Sequence, residues 1–216
     1  MTDRLLNLIK KDHPLTEIDC GEFANMKVKG MKFSISAYKA EGLGHISVMR
    51  AKGFFGLMKM DTLIINPTEI DLPLYSYDRI LAMGNDTLII ELYDTVVGEF
   101  SQEKLSEIKE GFSDLPERDP GEHWYDDIKL SSSISKKGKA KNASNRFEYL
   151  TMEHFNAYLY SGEAKTVQDY EAKQNKTRVY VDGLLEKGGP STDVFKGAIG
   201  EERTRKLFEE ILFGTK

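Results

Sequence analysis

Residues 57–94, LMKMDTLIINPTEIDLPLYSYDRILAMGNDTLIIELYD, decide the fold. Three strand-like runs lie in this stretch, LMKMDTLIIN, YSYDRILAM and DTLIIELYD. Gly84-Asn85-Asp86 separates the last two and supplies residues that tolerate positive φ, which predicts a hairpin. Upstream, MKFSISAYKA (31–40) alternates Phe33, Ile35 and Ala37 against Lys32, Ser34 and Ser36, the period-2 signature of a strand with one buried face. GHISVMRAK continues in the same manner, so Met31 to Tyr93 reads as a largely antiparallel meander. Two prolines, Pro67 and Pro73, and two acids, Asp71 and Asp78, break into it, and the acids bracket the apolar, aromatic-bearing segment Leu72 to Tyr77, which predicts a core or a pocket beside it.

The period then changes. SQEKLSEIKEGF places Leu105, Ile108 and Phe112 at helical spacing behind Ser101 as a cap. LPERDPGEHWYDDIKLSSSISKK holds two prolines and the single tryptophan before strand-like alternation returns. From Leu150 onward the pattern is helical: EAKTVQDYEAKQNKTRVYVDGLLEK brings Val167, Tyr170, Val181, Leu184 and Leu185 close to one face. EERTRKLFEEILFG does the same with Leu207, Phe208, Ile211 and Leu212, ahead of Gly214 as a C-cap. MTDRLLNLIKKDHP predicts a short amphipathic helix from Thr2. Strands first and helices afterwards give an α+β class, with an antiparallel sheet covered by helices and one domain over 1–216.

The 216 residues suffice to bury roughly 70% of the unfolded surface and to wall a small-molecule cavity. With 40% hydrophobic and 30% charged residues, and no apolar run near the roughly 20 residues of a membrane helix, the composition predicts a soluble, cytoplasmic protein without a membrane partner. A net charge of −5 gives no general attraction to nucleic acid. Cys20 is the single cysteine, which excludes an intramolecular disulfide and a cysteine-held cluster, and His13, His45, His123 and His154 lack ligand spacing, so no metal site is expected. Phosphate-loop, dinucleotide-binding, zincin and serine-hydrolase signatures are absent. The basic run SISKKGKAKNASNR reads as a solvated hairpin loop, or as a docking patch for an acidic protein.

Three stretches, in order, resemble the ferredoxin-dependent bilin reductases, the family that includes phycocyanobilin:ferredoxin oxidoreductase and is related to red chlorophyll catabolite reductase. LIINPTEIDLPLYSYD is similar to that family's strand, proline, then L-P-[IM]-F-G-x-D pattern, with Leu72-Pro73 followed by Asp78. LPERDPGEHWYDDIKLSSSIS is similar to its L-P-x-W-x-x-x-I-F-S region, through Trp124, Ile128 and Ser131 or Ser132. GPSTDVFKGAIGEERTRKLFEEILFG is similar to its C-terminal helix pair. The resemblance implies a three-layer α/β/α sandwich with a central antiparallel sheet, and an open-chain tetrapyrrole between the sheet and the C-terminal helices. It implies no bound metal or flavin, single electrons from ferredoxin or a flavodoxin, and protonation of the substrate radical by a side-chain acid.

Asp78 matches the family's catalytic Asp, and burial beside Leu74, Tyr75 and Tyr77 would keep such a carboxyl protonated near neutral pH. The plainer reading of an acid followed by Arg79 is a surface pair or a turn cap. The family's second donor, a His on the preceding strand, is missing, with Asp61 or Thr62 near that position. Asp61 is expected either to share a proton with Asp78 across neighbouring strands or to pair outward with Lys59. Asp193 follows Gly188-Gly189-Pro190, where many members carry another Asp. Arg79, Ser131, Ser133 and the Ser191-Thr192 turn are candidate holders of substrate propionates, and Lys136, Lys137, Lys139 and Lys141 are the candidate contact for an acidic electron carrier. The alternative is a tetrapyrrole or haem-breakdown binding protein that kept the pocket and lost the proton relay.

Overall fold

The computed structural model describes residues 1–161 and 165–216. Glu163 and Ala164, at the head of the third helical stretch, lie outside the described residues. In chain order the main elements are α1 (Thr2–Asp12), β1 (Leu15–Ile18), β2 (Asn25–Val28), β3 (Met31–Ala40), β4 (Gly44–Gly53), β5 (Met58–Pro67), β6 (Leu74–Ala82), β7 (Asn85–Tyr93), α2 (Glu103–Gly111), β8 (Ile134–Lys139), α3 (Ala140–Leu159), α4 (Tyr170–Lys187), α5 (Pro190–Ile199) and α6 (Glu201–Lys206). The final turns, Leu207–Leu212, widen to π-type geometry. The strands form one antiparallel sheet in the order β1-β3-β4-β5-β6-β7-β8, with β2 also paired to β3.

Each face of the sheet carries its own core, and together these make the three-layer sandwich. On one face Ile46, Val48, Leu63, Tyr75, Tyr77, Leu88 and Ile90 pack against Leu5 and Ile9 of α1 and against Phe147, Leu150, Phe155 and Tyr158 of α3. On the other, Phe33, Ile35, Met49, Ile64 and Tyr93 meet Tyr180, Val181 and Leu184 of α4, Phe195 of α5 and Phe208, Ile211 and Leu212 of the last turns. Burial on both sides explains why Leu63-Ile64-Ile65 and Leu88-Ile89-Ile90 are unbroken apolar runs rather than alternating ones. Register then fixes which side chains share a face: Thr62 lies opposite Asp78, and Asp61 opposite Arg79. Neighbours along a strand point to opposite faces, so Asp78 and Arg79 belong to different layers.

The hairpin between β6 and β7 forms where expected, as does α2, which starts two residues after Ser101; the Ser101 hydroxyl accepts the Glu103 N–H at 3.4 Å. Gly214, φ 60°, follows the terminal turns in the left-handed conformation of a helix stop. The basic run SISKKGKAKNASNR is not a hairpin loop. Ile134–Lys139 is the edge strand β8, paired to β7, and α3 begins at Ala140 rather than near Leu150. Ala143, Phe147, Leu150, His154 and Tyr158 form the buried stripe of that helix, and its first turns are too polar to announce it in the sequence.

Candidate functional site

A cavity of about 360 Å³ lies between the sheet and the layer formed by α4, α5 and the terminal turns. Its floor comes from residues of five strands: Phe33, Met49, Met60, Thr62, Ile64, Ser76, Asp78, Ile80, Ile89, Glu91 and Tyr93. Period 2 on β5, β6 and β7 turns all of these to one face. Leu184, Phe195, Phe208, Leu212 and Phe213 form the roof, and the segment before β8 contributes Arg118, His123 and Tyr125. Trp124 braces that segment. Its ring sits over Gly183 of α4, where an added Cβ would meet it at 2.2 Å, and its indole N–H donates to the Gly188 carbonyl at 2.9 Å.

Asp78 stands on this floor with no cation in ion-pair distance among the described residues. The Thr62 hydroxyl donates to its Oδ1. Desolvation is the main influence on the carboxyl and raises its pKa from 3.8 to about 6; the Thr62 hydrogen bond opposes this, and the charge of Glu91 adds to it. The group is therefore partly protonated near neutral pH and lies against a space large enough for a ligand, which is the condition for delivering a proton.

Glu91 is a second carboxyl on the same face. The Tyr93 hydroxyl donates to it at 2.6 Å, and the Lys129 ammonium lies 3.9 Å away. Tyr93 stacks on Tyr180 at 4.2 Å between ring centroids, and His123 stacks on Tyr125 at 4.9 Å. The His123 backbone N–H donates to the Asp126 carboxylate, while its Nδ1 is buried without a hydrogen-bond partner. Arg118 is the single Lys or Arg lining the cavity among the described residues, and it donates to the Ser135 hydroxyl at 3.2 Å. Ser191 and Thr192 line the cavity at the first turn of α5.

Several residues expected at the site lie elsewhere. Asp61 points to the α1 side, 3.7 Å from the Met1 amine, so it neither shares a proton with Asp78 nor pairs with Lys59. Arg79 is buried on the α3 side, where it holds Asp86 at 2.6 Å, the Ser144 carbonyl at 2.9 Å and Glu148 at 3.5 Å. It has no free face for a propionate. Asp193 is exposed on α5 and folds back beside Gly188, outside the cavity wall. The Ser131 hydroxyl donates to Gln102, and that of Ser133 accepts the Leu92 N–H; both belong to the junction of α2 and β8. Lys136 is buried, donating to the Leu115 carbonyl and paired with Glu117, which removes it from any docking surface; Lys137, Lys139 and Lys141 remain exposed.

Glu91, Arg118, His123 and the stacked tyrosines were not anticipated. For Glu91 a signal existed, an acid inside DTLIIELYD at the parity of Ile89 and Tyr93. Arg118 and His123 sit in a connecting segment without periodicity, and nothing local assigns them to the cavity.

No family model matches the chain, and no curated protein matches it in sequence. Among solved structures it is similar to phytochromobilin synthase from tomato in complex with biliverdin, with a TM-score of 0.77 at 14% identity, over 99% of this chain and 82% of that one. This chain shares the fold of that structure. Among the described residues no helix is long and apolar enough to cross a membrane, and no group of three or more His, Cys, Asp or Glu side chains is placed to hold a metal.

Proposed function

We propose that the protein binds an open-chain tetrapyrrole in the cavity between the sheet and the layer of α4, α5 and the terminal turns, and reduces it with Asp78 as proton donor. The observation that carries this reading is the position of Asp78. It is an acid without a cationic partner among the described residues, its pKa raised to about 6, on the floor of an aromatic and methionine-lined cavity. A protein of the same fold has been crystallised with biliverdin. Reduction of one double bond takes up two electrons and two protons. The electrons arrive singly from an external carrier, ferredoxin or a flavodoxin, to which exposed Lys137, Lys139 and Lys141 offer positive charge. Asp78 delivers one proton to the ligand radical, and Glu91, at the edge of the same floor, is the second carboxyl within the cavity. Arg118 and the α5 N-terminal turn with Ser191 and Thr192 are the groups suited to the substrate's carboxylates.

One observation favours binding without reduction: the residue paired with Asp78 across the strands is Thr62, which cannot supply a second proton at neutral pH. Anaerobic incubation with biliverdin and reduced ferredoxin separates the two. Bleaching of the long-wavelength band, lost in Asp78→Asn, supports reduction; a stable complex that never bleaches supports binding alone. No change in absorbance on adding biliverdin or related bilins refutes both.

A further inference from the structure

At one end of the sheet the turns joining β2 to β3, β4 to β5 and β6 to β7 come together, and the first two of them carry charge of one sign. Residues 27–32 and 52–59 read KVKGMK and KGFFGLMK: five lysines and no acid, in a protein whose net charge is −5. Register places Lys27 opposite Lys32, Lys32 opposite Lys52 and Lys52 opposite Lys59, so four lysines stand in one row across four strands. All are exposed, and none of them, nor Lys29 at the β2–β3 turn, makes an ion pair among the described residues. Like charges directly opposite one another weaken strand pairing, so the row opposes folding and finds no ion-pair compensation among the described residues.

The turns beyond this row are apolar. Phe55 is 108% exposed, and Phe54, Leu57 and Met83 are each more than half exposed. Phe54 and Phe55 hold φ of 51° and 56°, a conformation bulky residues seldom adopt, and it directs both rings outward. Phe54 lies two positions beyond Lys52, about 7 Å at strand rise. That matches the roughly 5–10 Å to which apolar side chains of interfacial segments enter a bilayer while lysines stay among the headgroups.

We infer that this end of the sheet docks on an anionic lipid surface, with Phe54, Phe55, Leu57 and Met83 entering the headgroup boundary and the lysine row meeting the lipid phosphates and carboxylates. The chemistry favours lipid over an acidic protein. The apolar groups sit exposed on turn apices, which a bilayer accepts without matching shape, whereas a protein interface requires a complementary packed centre. The surface stands independently of the tetrapyrrole reading.

The test is sedimentation of the whole protein with phosphatidylserine–phosphatidylcholine vesicles against pure phosphatidylcholine, at low and raised salt. Binding is expected with the anionic vesicles and is weakened by salt. Lys52→Glu with Lys59→Glu lowers the affinity at least about thirtyfold, from roughly fivefold per lysine removed. Phe54→Asn with Phe55→Asn, residues at ease in the left-handed region, keeps the fold and lowers it at least about tenfold. Lys10→Glu with Lys11→Glu, the same charge change on exposed α1 positions, leaves it within about twofold. The inference is overturned by absence of vesicle binding at low salt, by equal loss in the α1 control, or by indifference to the phenylalanine pair. It is equally overturned if vesicles fail while an acidic flavodoxin binds through Lys52 and Lys59, or if the phenylalanine pair instead abolishes a dimer seen by light scattering.

Discussion

Replacing Asp78 by Asn is expected to stabilise the protein at neutral pH, by an amount that the site's own electrostatics set. The carboxyl's pKa rises from 3.8 unfolded to about 6 folded, so the folded state holds its proton over a range where the unfolded chain has lost it. Stability from this group therefore falls as pH rises from about 4 to 6, and at pH 7 its ionisation costs about 3 kcal/mol. His154, buried against Tyr75 on the other face, works in the opposite direction. Desolvation lowers its pKa from 6.5 to about 4, so stability is full above 6.5 and is lost as pH falls toward 4, again by about 3 kcal/mol. The two slopes nearly cancel in the native sequence. Asp78→Asn removes the first and leaves the second. The variant should then melt about 6–12 °C above wild type at pH 7.5, for a chain of this size, and converge with it near pH 4. Circular dichroism melts across that range check this. The difference between the two proteins isolates residue 78, because His45, Asp71 and Glu209, which also titrate away from their usual values, are common to both. Equal or lower stability of the variant at pH 7.5 would show that the carboxylate is already well hydrated, and the case for Asp78 as a proton donor would fail.

Thr62→Val removes the hydrogen bond that holds the Asp78 pKa down, so the carboxyl should titrate above 6, as followed by its infrared carbonyl band; an unchanged midpoint contradicts the assigned contact. Arg79→Met leaves Asp86 buried without its cation and should cost about 3–5 kcal/mol in urea unfolding. Biliverdin affinity of the folded variant should stay within about threefold of wild type, and a selective loss of affinity at full stability would restore Arg79 to the binding site. Gly183→Ala drives a methyl into the Trp124 ring and should cost about 1–3 kcal/mol. Because Trp124 is the single tryptophan, its emission reports the displacement directly, and an unshifted spectrum at wild-type stability refutes the packing.

The sheet was legible because its strands announce their faces. β3 alternates cleanly, and Gly84-Asn85 sits where the hairpin turns. β1 and β2, four residues each, are too short for alternation to stand out, and the first turns of α3 carry lysine and asparagine where an apolar stripe would have revealed them. At the site, parity along one strand was available and decides much. Since Asp78 and Arg79 are consecutive in a strand, they cannot both face one cavity, and the same holds for Asp61 and Thr62. Register across strands was not available. Only pairing shows that Thr62, not Asp61, meets Asp78, and that Glu91 lies on the same floor. Arg118 and His123 arrive from a segment placed by Trp124 against a glycine on α4, a contact between positions 59 residues apart that no local pattern encodes.

Buried charge is treated differently inside and outside the cavity, and that contrast is what separates structure from chemistry here. Away from the cavity each buried charge has a partner: Arg79 with Asp86 and Glu148, Lys136 with Glu117, Lys173 with Asp71 and the Leu72 carbonyl. Such pairs give each desolvated group an opposite charge or a hydrogen bond in place of water. Asp78, one residue from Arg79, is given a hydroxyl and a neighbouring carboxylate instead, and both leave its proton exchangeable. A cation would have been the cheaper neighbour for stability, and one is present a single position along the chain. The strand's pleat sends it to the opposite layer, so the acid on the cavity side keeps an instability of about 3 kcal/mol that only a proton or a ligand can relieve.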